Sequence, residues 1–409
     1  MENFDVAIIG GGIVGAATFY QIQKRYPHLK IVLIEKEPHL AFHQTGNNSG
    51  VIHSGMYYPP KSLKAKNCIE GRKQLVEFAK KYQVPHEVCG KVVAASRVEE
   101  LPFLEKIYQN GLQNQIEGLE KITPEQAQII EPYLKCVAAL WVPCTGIIDF
   151  RKATEKMVEL ALSIQPNSAL ILGEEVQNIV HQDHQTILKT QKNKYQSKFN
   201  IFCSGLQADR LAKMDGLKLK EKIVGFRGDY YELTEQAKHK VKNLIYPVPN
   251  PAFPFLGVHF TRMTSGSIEC GPNAVFTFKR EGYHKTDFDW RDSLDALFYS
   301  GTWALFRKNF RFGVQEYLRA FSKQRFLTTL QTLIPSLTLE DIQSARAGVR
   351  ALLLSTTGDT RDDFRIETSQ NSIHVLNAPS PAATASLAIG AQITDFFNNI
   401  YRKSDFFNT

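Results

Sequence analysis

Phe4-Asp5-Val6-Ala7-Ile8-Ile9, followed by Gly10-Gly11-Gly12-Ile13-Val14-Gly15, is the stretch that decides the fold. Its first part has the length and apolarity of a buried strand. From the glycines an apolar-periodic segment runs to about Arg25, and Pro27 closes it as a helix. Ile31-Val32-Leu33-Ile34-Glu35 then reads as a second buried strand. A strand, a Gly-x-Gly-x-x-Gly turn, a helix and a second strand ending in an acid open a dinucleotide-binding unit. Gly10 permits the tight turn, Gly12 lets a pyrophosphate approach the backbone, and Gly15 lets helix and strand pack closely. The helix N-terminus offers phosphates free N–H groups and partial positive charge. Glu35, twenty residues beyond Gly15, can accept hydrogen bonds from ribose hydroxyls, and its charge disfavours a 2′-phosphate.

The chain around this unit has 409 residues, so two to three domains' worth of core are expected. With 43% hydrophobic and 22% charged residues, it falls in the globular range rather than the disordered one. No apolar run reaches the roughly 18–20 residues of a membrane span. Lys and Arg number 49 against 41 Asp and Glu, a net charge of +8. That balance suits anionic small molecules, nucleic acid or anionic lipid without choosing among them. The six cysteines include no CxxC pair and the chain has no HExxH, so no metal site is expected. They read as reduced thiols in a cytosol. No signal peptide is expected before the first strand, and no prenylation box at the end.

Beyond Glu35, residues 41–60 are polar and rich in Gly, Asn, Ser and His, and a connection that long is expected to be functional. Helices are expected over 62–82 with Ser62 as cap, over 99–117, from Thr123-Pro124, and from Asp149 through Ala161. Strands are expected at 91–96 and around 169–176, 185–190 and 198–203. From 222 to 279 the pattern becomes strands alone, at 222–233, 244–248, 255–262, 267–270 and 275–279. That points to a second, antiparallel sheet. A basic, aromatic helical region follows over 291–334, then short strands and a last helix after Pro381.

Three segments favour FAD over NAD. His43 to Gly55 is a long polar loop of the kind that wraps a flavin. The strand ending Phe202-Cys203-Ser204-Gly205 meets its helix through small residues, a second contact seen in flavoproteins. Asn377-Ala378-Pro379-Ser380-Pro381-Ala382-Ala383-Thr384-Ala385-Ser386 puts small residues before a helix. A helix N-terminus there can stabilise negative charge on the flavin N1–C2 carbonyl.

With these motifs in this order, the chain resembles the FAD-dependent oxidoreductases of the D-amino-acid oxidase and glycerol-3-phosphate dehydrogenase type. Within them it is similar to the L-2-hydroxyglutarate dehydrogenase/oxidase group. The likeness is carried by His43 to Pro60, Tyr246-Pro247-Val248-Pro249-Asn250-Pro251, Phe253 to Arg262, Gly271-Pro272-Asn273-Ala274, Arg346-Ala347-Gly348-Val349-Arg350-Ala351 and Asn377 to Ser386, and covers nearly the whole chain. Leu352 departs from the pattern, which has a polar residue there. The resemblance implies an α/β architecture. A Rossmann-like FAD-binding domain (1–85, 146–221 and 335–409) is interleaved with an antiparallel-sheet α+β substrate domain (86–145 and 222–334) that roofs the flavin. In the glycine turn and its flanking strand, the implied cofactor contacts are Gly10, Gly12, Ile13, Val14, Gly15, Glu35 and Lys36. Further along they are Thr45, Asn48, Ser49 and Gly50, then Val176, Ser204 and Gly205, and finally Ser380, Ala382, Ala383 and Thr384.

The implied reaction converts L-2-hydroxyglutarate to 2-oxoglutarate by hydride transfer from Cα to flavin N5, with electrons passed to a quinone or oxygen. Glycerol-3-phosphate, another 2-hydroxy acid or an amine is the alternative substrate, and a non-catalytic FAD-bound RNA-interacting protein the alternative class. A dianionic hydroxy acid needs cations for its carboxylates and a base for its hydroxyl proton. Arg227, Arg262, Arg346 and Arg350 offer the planar fork that binds carboxylate bidentately. The turn Gly348-Val349-Arg350 matches the one that faces the substrate carboxylate in related members, so Arg350 and Arg227 join His259 and His53 as the catalytic candidates. The two histidines are candidate bases because imidazole titrates near operating pH. Period-2 alternation puts His259 with Gly257 and Thr261 on one strand face, and Val258 with Phe260 on the other. His53 lies in the flavin loop, where a loop hydrogen bond or a covalent flavin link are its other readings.

Residues 303–327 carry a net charge of +5 and seven interleaved aromatics. Trp303, Phe306, Phe310, Val314, Tyr317 and Phe321 fall at helical spacing on one face. Two readings follow. One is a basic amphipathic helix on anionic membrane, placing the protein in the cytoplasm and peripherally on the inner face of its membrane. The other is a helix packed on its own domain. No nucleic-acid partner is expected, for lack of a reading motif.

Overall fold

The run that opens the chain forms the strand Glu2–Ile9 at the centre of a sheet. It lies parallel to Ile31–Glu35 on one side and Lys194–Phe202 on the other. Ala169–Leu172 and Ser372–Asn377 extend the parallel part, and Val176–Gln182 with Gln185–Thr190 adds an antiparallel edge. This computed structural model describes residues 2–182, 185–249 and 257–402. Helices Ile13–Arg25, Phe150–Ile164 and Ser386–Tyr401 share one apolar core with the sheet. Their close approach is set by small residues: a Cβ on Gly390 would sit 2.8 Å from the Ala17 backbone. The expected caps are present. Ser62, Thr123 and Asp149 each accept a backbone N–H of their helix, and Thr123 with Gln126 completes a capping box.

A second sheet, of nine strands among the described residues, holds Lys222–Leu233, Leu244–Pro247, His259–Arg262, Ile268–Gly271 and Lys91–Ala95 near its middle. It is antiparallel except where Leu244–Pro247 runs parallel to Lys91–Ala95. One correction concerns the end of the chain. Residues 335–409 were expected with the parallel sheet, but the strand Ile342–Leu354 pairs along its length with Lys222–Leu233 in the second sheet. One face of this sheet presents Val92, Ala94, Ile245, Phe260 and Cys270 to Phe326, Leu327 and Leu330 of a covering helix. Alternation therefore leaves Lys91, Tyr246, His259 and Thr261 on the opposite face. The expected strand 255–262 is described only from Gly257 on, and the quoted motif residues 250–256 lie outside the described residues.

The 303–327 segment is not one helix. It breaks at Asn309 and Ser322 into Ser300–Lys308, Phe310–Ala320 and Lys323–Leu330. Ser322 caps the third helix through Arg325 N, so a new start interrupts the periodicity. The aromatic stripe divides accordingly. Phe306 and Tyr317 pack beside Phe276, Phe326 is fully buried, and Phe310 and Phe321 are 68% and 69% exposed. Among the described residues, no helix is long and apolar enough to cross a membrane.

Candidate active site

At the glycine turn, Gly10 has φ +114°, and a Cβ there would lie 2.4 Å from the Cys203 carbonyl oxygen. A Cβ on Gly15 would lie 2.0 Å from the Gly10 oxygen. Above Gly12 the space is open, with only Thr45 Oγ1 near, at 3.3 Å. No side chain caps the helix at Gly12, and Thr45 Oγ1 accepts from Ile13 N at 3.0 Å. Val14 continues this first turn. The Ser204 hydroxyl beside Gly205 is buried with no hydrogen-bond partner among the described residues. An uncapped helix start, a floor without a Cβ and an orphaned hydroxyl fit the phosphates of a dinucleotide.

Glu35 closes the second strand with its carboxylate held by Gly11 N at 2.6 Å and Glu37 N at 2.9 Å. Burial pushes its carboxyl up and these two bonds oppose that. Glu174 N donates to the Glu35 carbonyl, which brings the strand start at Val176 beside it. Lys36 ion-pairs with Glu281 and lies 3.5 Å from Glu37. Glu35→Ala is expected to lower FAD occupancy of the purified protein while the fold survives. Hydrogen bonds to a charged acceptor contribute about 1.5–3 kcal/mol each. Absorbance at equal protein concentration measures this, and full FAD retention would contradict the placement of the ribose.

The long polar loop is fastened at several points. Asn48 donates to the Gln44 and Thr45 carbonyls and accepts from Gly50 N. Arg346 donates to the Gly46 and Asn48 carbonyls and to Glu269. Its fork is committed to the loop, so the reading of Arg346 as a carboxylate ligand is corrected. Gly348 lets the second sheet touch this loop, since a Cβ would lie 2.4 Å from the Asn47 oxygen. Thr384 is fully buried; it donates to the Val51 carbonyl and accepts from His53 N. Thr384 therefore positions the segment that carries His53. Ala382 and Ala383 form the turn ahead of the last helix, which starts at Ser386 without a side-chain cap. Burial pushes up the phenols of Tyr58 and Tyr246, and Ser380 and Ser49 beside them oppose that rise.

At the other end of the site, His259 is 4% exposed and stacks on Tyr246 at 4.0 Å. Its Nδ1–H donates to the Gly257 carbonyl at 3.1 Å, which leaves Nε2 with the lone pair. Nε2 is buried without a partner among the described residues, as is Nδ1 of His53. Burial is the main cause that pushes both imidazoles down to about 3, with the Lys91 charge adding to each. Arg350 lies close enough for its charge to lower His259, Tyr230 and Tyr246. Arg227 is buried but engaged, donating to Asp229 at 2.8 Å and to the His284 carbonyl at 2.7 Å. Arg262 faces away and pairs with Glu87 at 2.6 Å, so it is removed from the carboxylate ligands. Leu352, the departure from the motif, packs against the apolar cluster around Phe226 and Phe276. One buried group was missed from sequence. Lys91 lies under the same face, its ammonium 4.6 Å from the Tyr57 ring and 4.7 Å from that of Tyr246. The only sequence signal was its phase with Val93 and Ala95 in an apolar strand.

Comparison with known proteins bears on this arrangement directly. The model of the family of FAD-dependent oxidoreductases matches residues 5–396. The chain belongs to that family. It is 47% identical over 395 residues to the L-2-hydroxyglutarate dehydrogenase of Indibacter alkaliphilus, covering 96% of this chain and 98% of the relative. To the mitochondrial L-2-hydroxyglutarate dehydrogenase of Homo sapiens it is 41% identical, over 96% and 88% of the two chains. Among solved structures, the FAD-bound L-α-glycerophosphate oxidase of Mycoplasma pneumoniae superposes with a TM-score of 0.78 at 25% identity, covering 97% and 95% of the chains. Glycine oxidase from Geobacillus kaustophilus shares the fold, with a TM-score of 0.74 at 16% identity over 98% and 95%. This FAD-dependent oxidoreductase thus has the expected α/β architecture of a parallel sheet joined to a largely antiparallel one.

Proposed function

We propose that this enzyme oxidises L-2-hydroxyglutarate to 2-oxoglutarate. The observation that carries the reading is the buried His259 Nε2 lone pair in reach of the Arg350 charge, on a chain alike over its whole length to L-2-hydroxyglutarate dehydrogenases. When bound, FAD supplies the acceptor for the hydride that leaves the substrate Cα. Gly12 and Val14 present N–H groups to its phosphates beside the Ile13 N–H that Thr45 holds, and Glu35 accepts from its ribose. Arg350 holds the carboxylate next to the hydroxyl, and its charge orients the acid. His259 Nε2 takes the hydroxyl proton as the carbonyl forms, its tautomer fixed by the Gly257 carbonyl. The apolar burial that keeps His259 neutral also keeps water from the reacting carbon. Arg227 supports the site from its ion pair with Asp229. The parallel sheet and the last helix form the FAD-binding unit in this reading, and the second sheet forms the substrate roof. Single-turnover mixing without oxygen should yield one 2-oxoglutarate per FAD. A flavin reduced with no 2-oxoglutarate formed removes this substrate.

We read the surface of the helices around 290–321 as a contact for anionic membrane, where a quinone would reoxidise the enzyme. Phe298, Phe310 and Phe321 are exposed on these helices, as are Arg307 and Arg311. Each basic residue near an anionic surface contributes about 1 kcal/mol, lost as screening shortens to ~3 Å near 1 M salt. The enzyme should co-sediment with anionic vesicles at low salt and be released at high salt. A variant with Arg307, Lys308 and Arg311 changed to Gln should stay in the supernatant. Equal supernatant fractions for parent and variant would discard the contact and leave oxygen or a soluble acceptor.

A further inference from the structure

Lys91 is fully buried, yet its ammonium has neither a hydrogen-bond acceptor nor a carboxylate partner among the described residues. The rings of Tyr57 and Tyr246 are its neighbours, and the same Tyr246 ring stacks on His259. The Tyr57 hydroxyl is also buried without a partner. The orphaned atoms are therefore of two kinds. Lys91 Nζ and Tyr57 Oη are donors that lack an acceptor. His259 Nε2 is an acceptor that lacks a donor. A hydroxy acid with a second carboxylate completes both sets: its hydroxyl donates to the imidazole, and its far carboxylate accepts from the ammonium and the phenol.

We propose that Lys91 is the specificity-determining cation for the distal carboxylate of the substrate, with Tyr57 as its hydrogen-bonding companion. The proposal rests on the L-2-hydroxyglutarate reading. It assigns the two ends of the dianion to two different cations, Arg350 beside the reacting carbon and Lys91 beyond it. A residue with only a packing role does not need a charge here. A buried ammonium without a counter-ion is a liability to the fold, and an apolar side chain of similar length would remove it. The charge makes sense if a ligand brings the counter-ion. Burial also lowers the Lys91 pKa to about 8, so the ammonium is still the main form at neutral pH and gains from an arriving carboxylate.

The test uses the FAD-loaded enzyme, the variant Lys91→Met, and the non-reacting probes glutarate and butyrate, read by perturbation of the flavin spectrum. The parent should bind glutarate more tightly than butyrate. Lys91→Met should weaken glutarate about 10–100-fold, as expected for losing a charged hydrogen bond, and leave butyrate unchanged. The KM for L-2-hydroxyglutarate should rise by the same factor. Without ligand, the Tm of Lys91→Met should equal or exceed that of the parent. Equal loss for both probes, unchanged glutarate binding, or a variant with lower Tm or lost FAD would overturn the proposal, the last two by showing that Lys91 serves the fold. A parent that binds glutarate through Lys91 but is not reduced by L-2-hydroxyglutarate would instead sink the substrate reading and keep the dicarboxylate site.

Discussion

His259→Ala slows anaerobic flavin reduction by L-2-hydroxyglutarate about 10²–10⁴-fold, the usual contribution of a positioned base, and leaves FAD bound. The expectation follows from one atom. His259 Nδ1–H is tied to the Gly257 carbonyl, so Nε2 is the nitrogen available to a substrate hydroxyl. Nothing else among the described residues occupies it. The imidazole lies in the second sheet, away from the glycine turn, so its loss does not remove a phosphate or ribose contact. Because burial holds its pKa near 3, His259 is already deprotonated in the free enzyme. The parental kcat/KM should therefore show no acid limb from this residue between about pH 5 and 8, since that profile reports the free enzyme. His53 is the control. Its backbone N–H is held by Thr384 and its Nδ1 is buried, so His53→Ala tests the other candidate in the same rapid-mixing experiment. Parental rates in His259→Ala with slow reduction in His53→Ala would transfer the role.

Arg350→Ala should weaken substrate binding by about 1.5–3 kcal/mol, the usual worth of a hydrogen bond to a charged group. Arg350→Lys keeps the charge but not the planar fork, so its loss should be intermediate. Spectral titration with the substrate under conditions that block turnover, together with KM, measures both. The flavin spectrum should be retained, because Arg346 fastens the 43–55 loop through the Gly46 and Asn48 carbonyls. Arg350→Ala that purifies without FAD would show that this residue serves the cofactor.

The contrast between these two arginines shows where sequence reading stops. Arg346 and Arg350 have the same chemistry, and both lie in the motif that carried the resemblance. Their fates differ because the strand Ile342–Leu354 passes over the loop at Gly348, which puts Arg346 against the Gly46 and Asn48 carbonyls. That strand pairs with one more than a hundred residues earlier, and its mixed burial gives no clean alternation to read. The opening unit was legible because each step is local: a buried strand, a turn that only glycine tolerates, an uncapped helix and an acid at the next strand end. The face of His259 was legible for the same reason, since alternation needs only neighbours. Helical spacing over 303–327 misled because spacing alone does not register the breaks at Asn309 and Ser322, which divide the stripe among three helices. Lys91 escaped because a lysine at the start of a strand ordinarily reaches water. Only the packing of Tyr57 and Tyr246 around it shows that this one does not.

The most direct test of the central claim is anaerobic mixing of the yellow enzyme with matched acids. L-2-hydroxyglutarate should bleach the flavin completely within one turnover. The D-enantiomer, an L-2-hydroxy acid without the second carboxylate, and glycerol-3-phosphate should bleach it far more slowly at equal concentration. Bleaching by glycerol-3-phosphate, or a flavin that stays oxidised with every 2-hydroxy acid, would contradict the account.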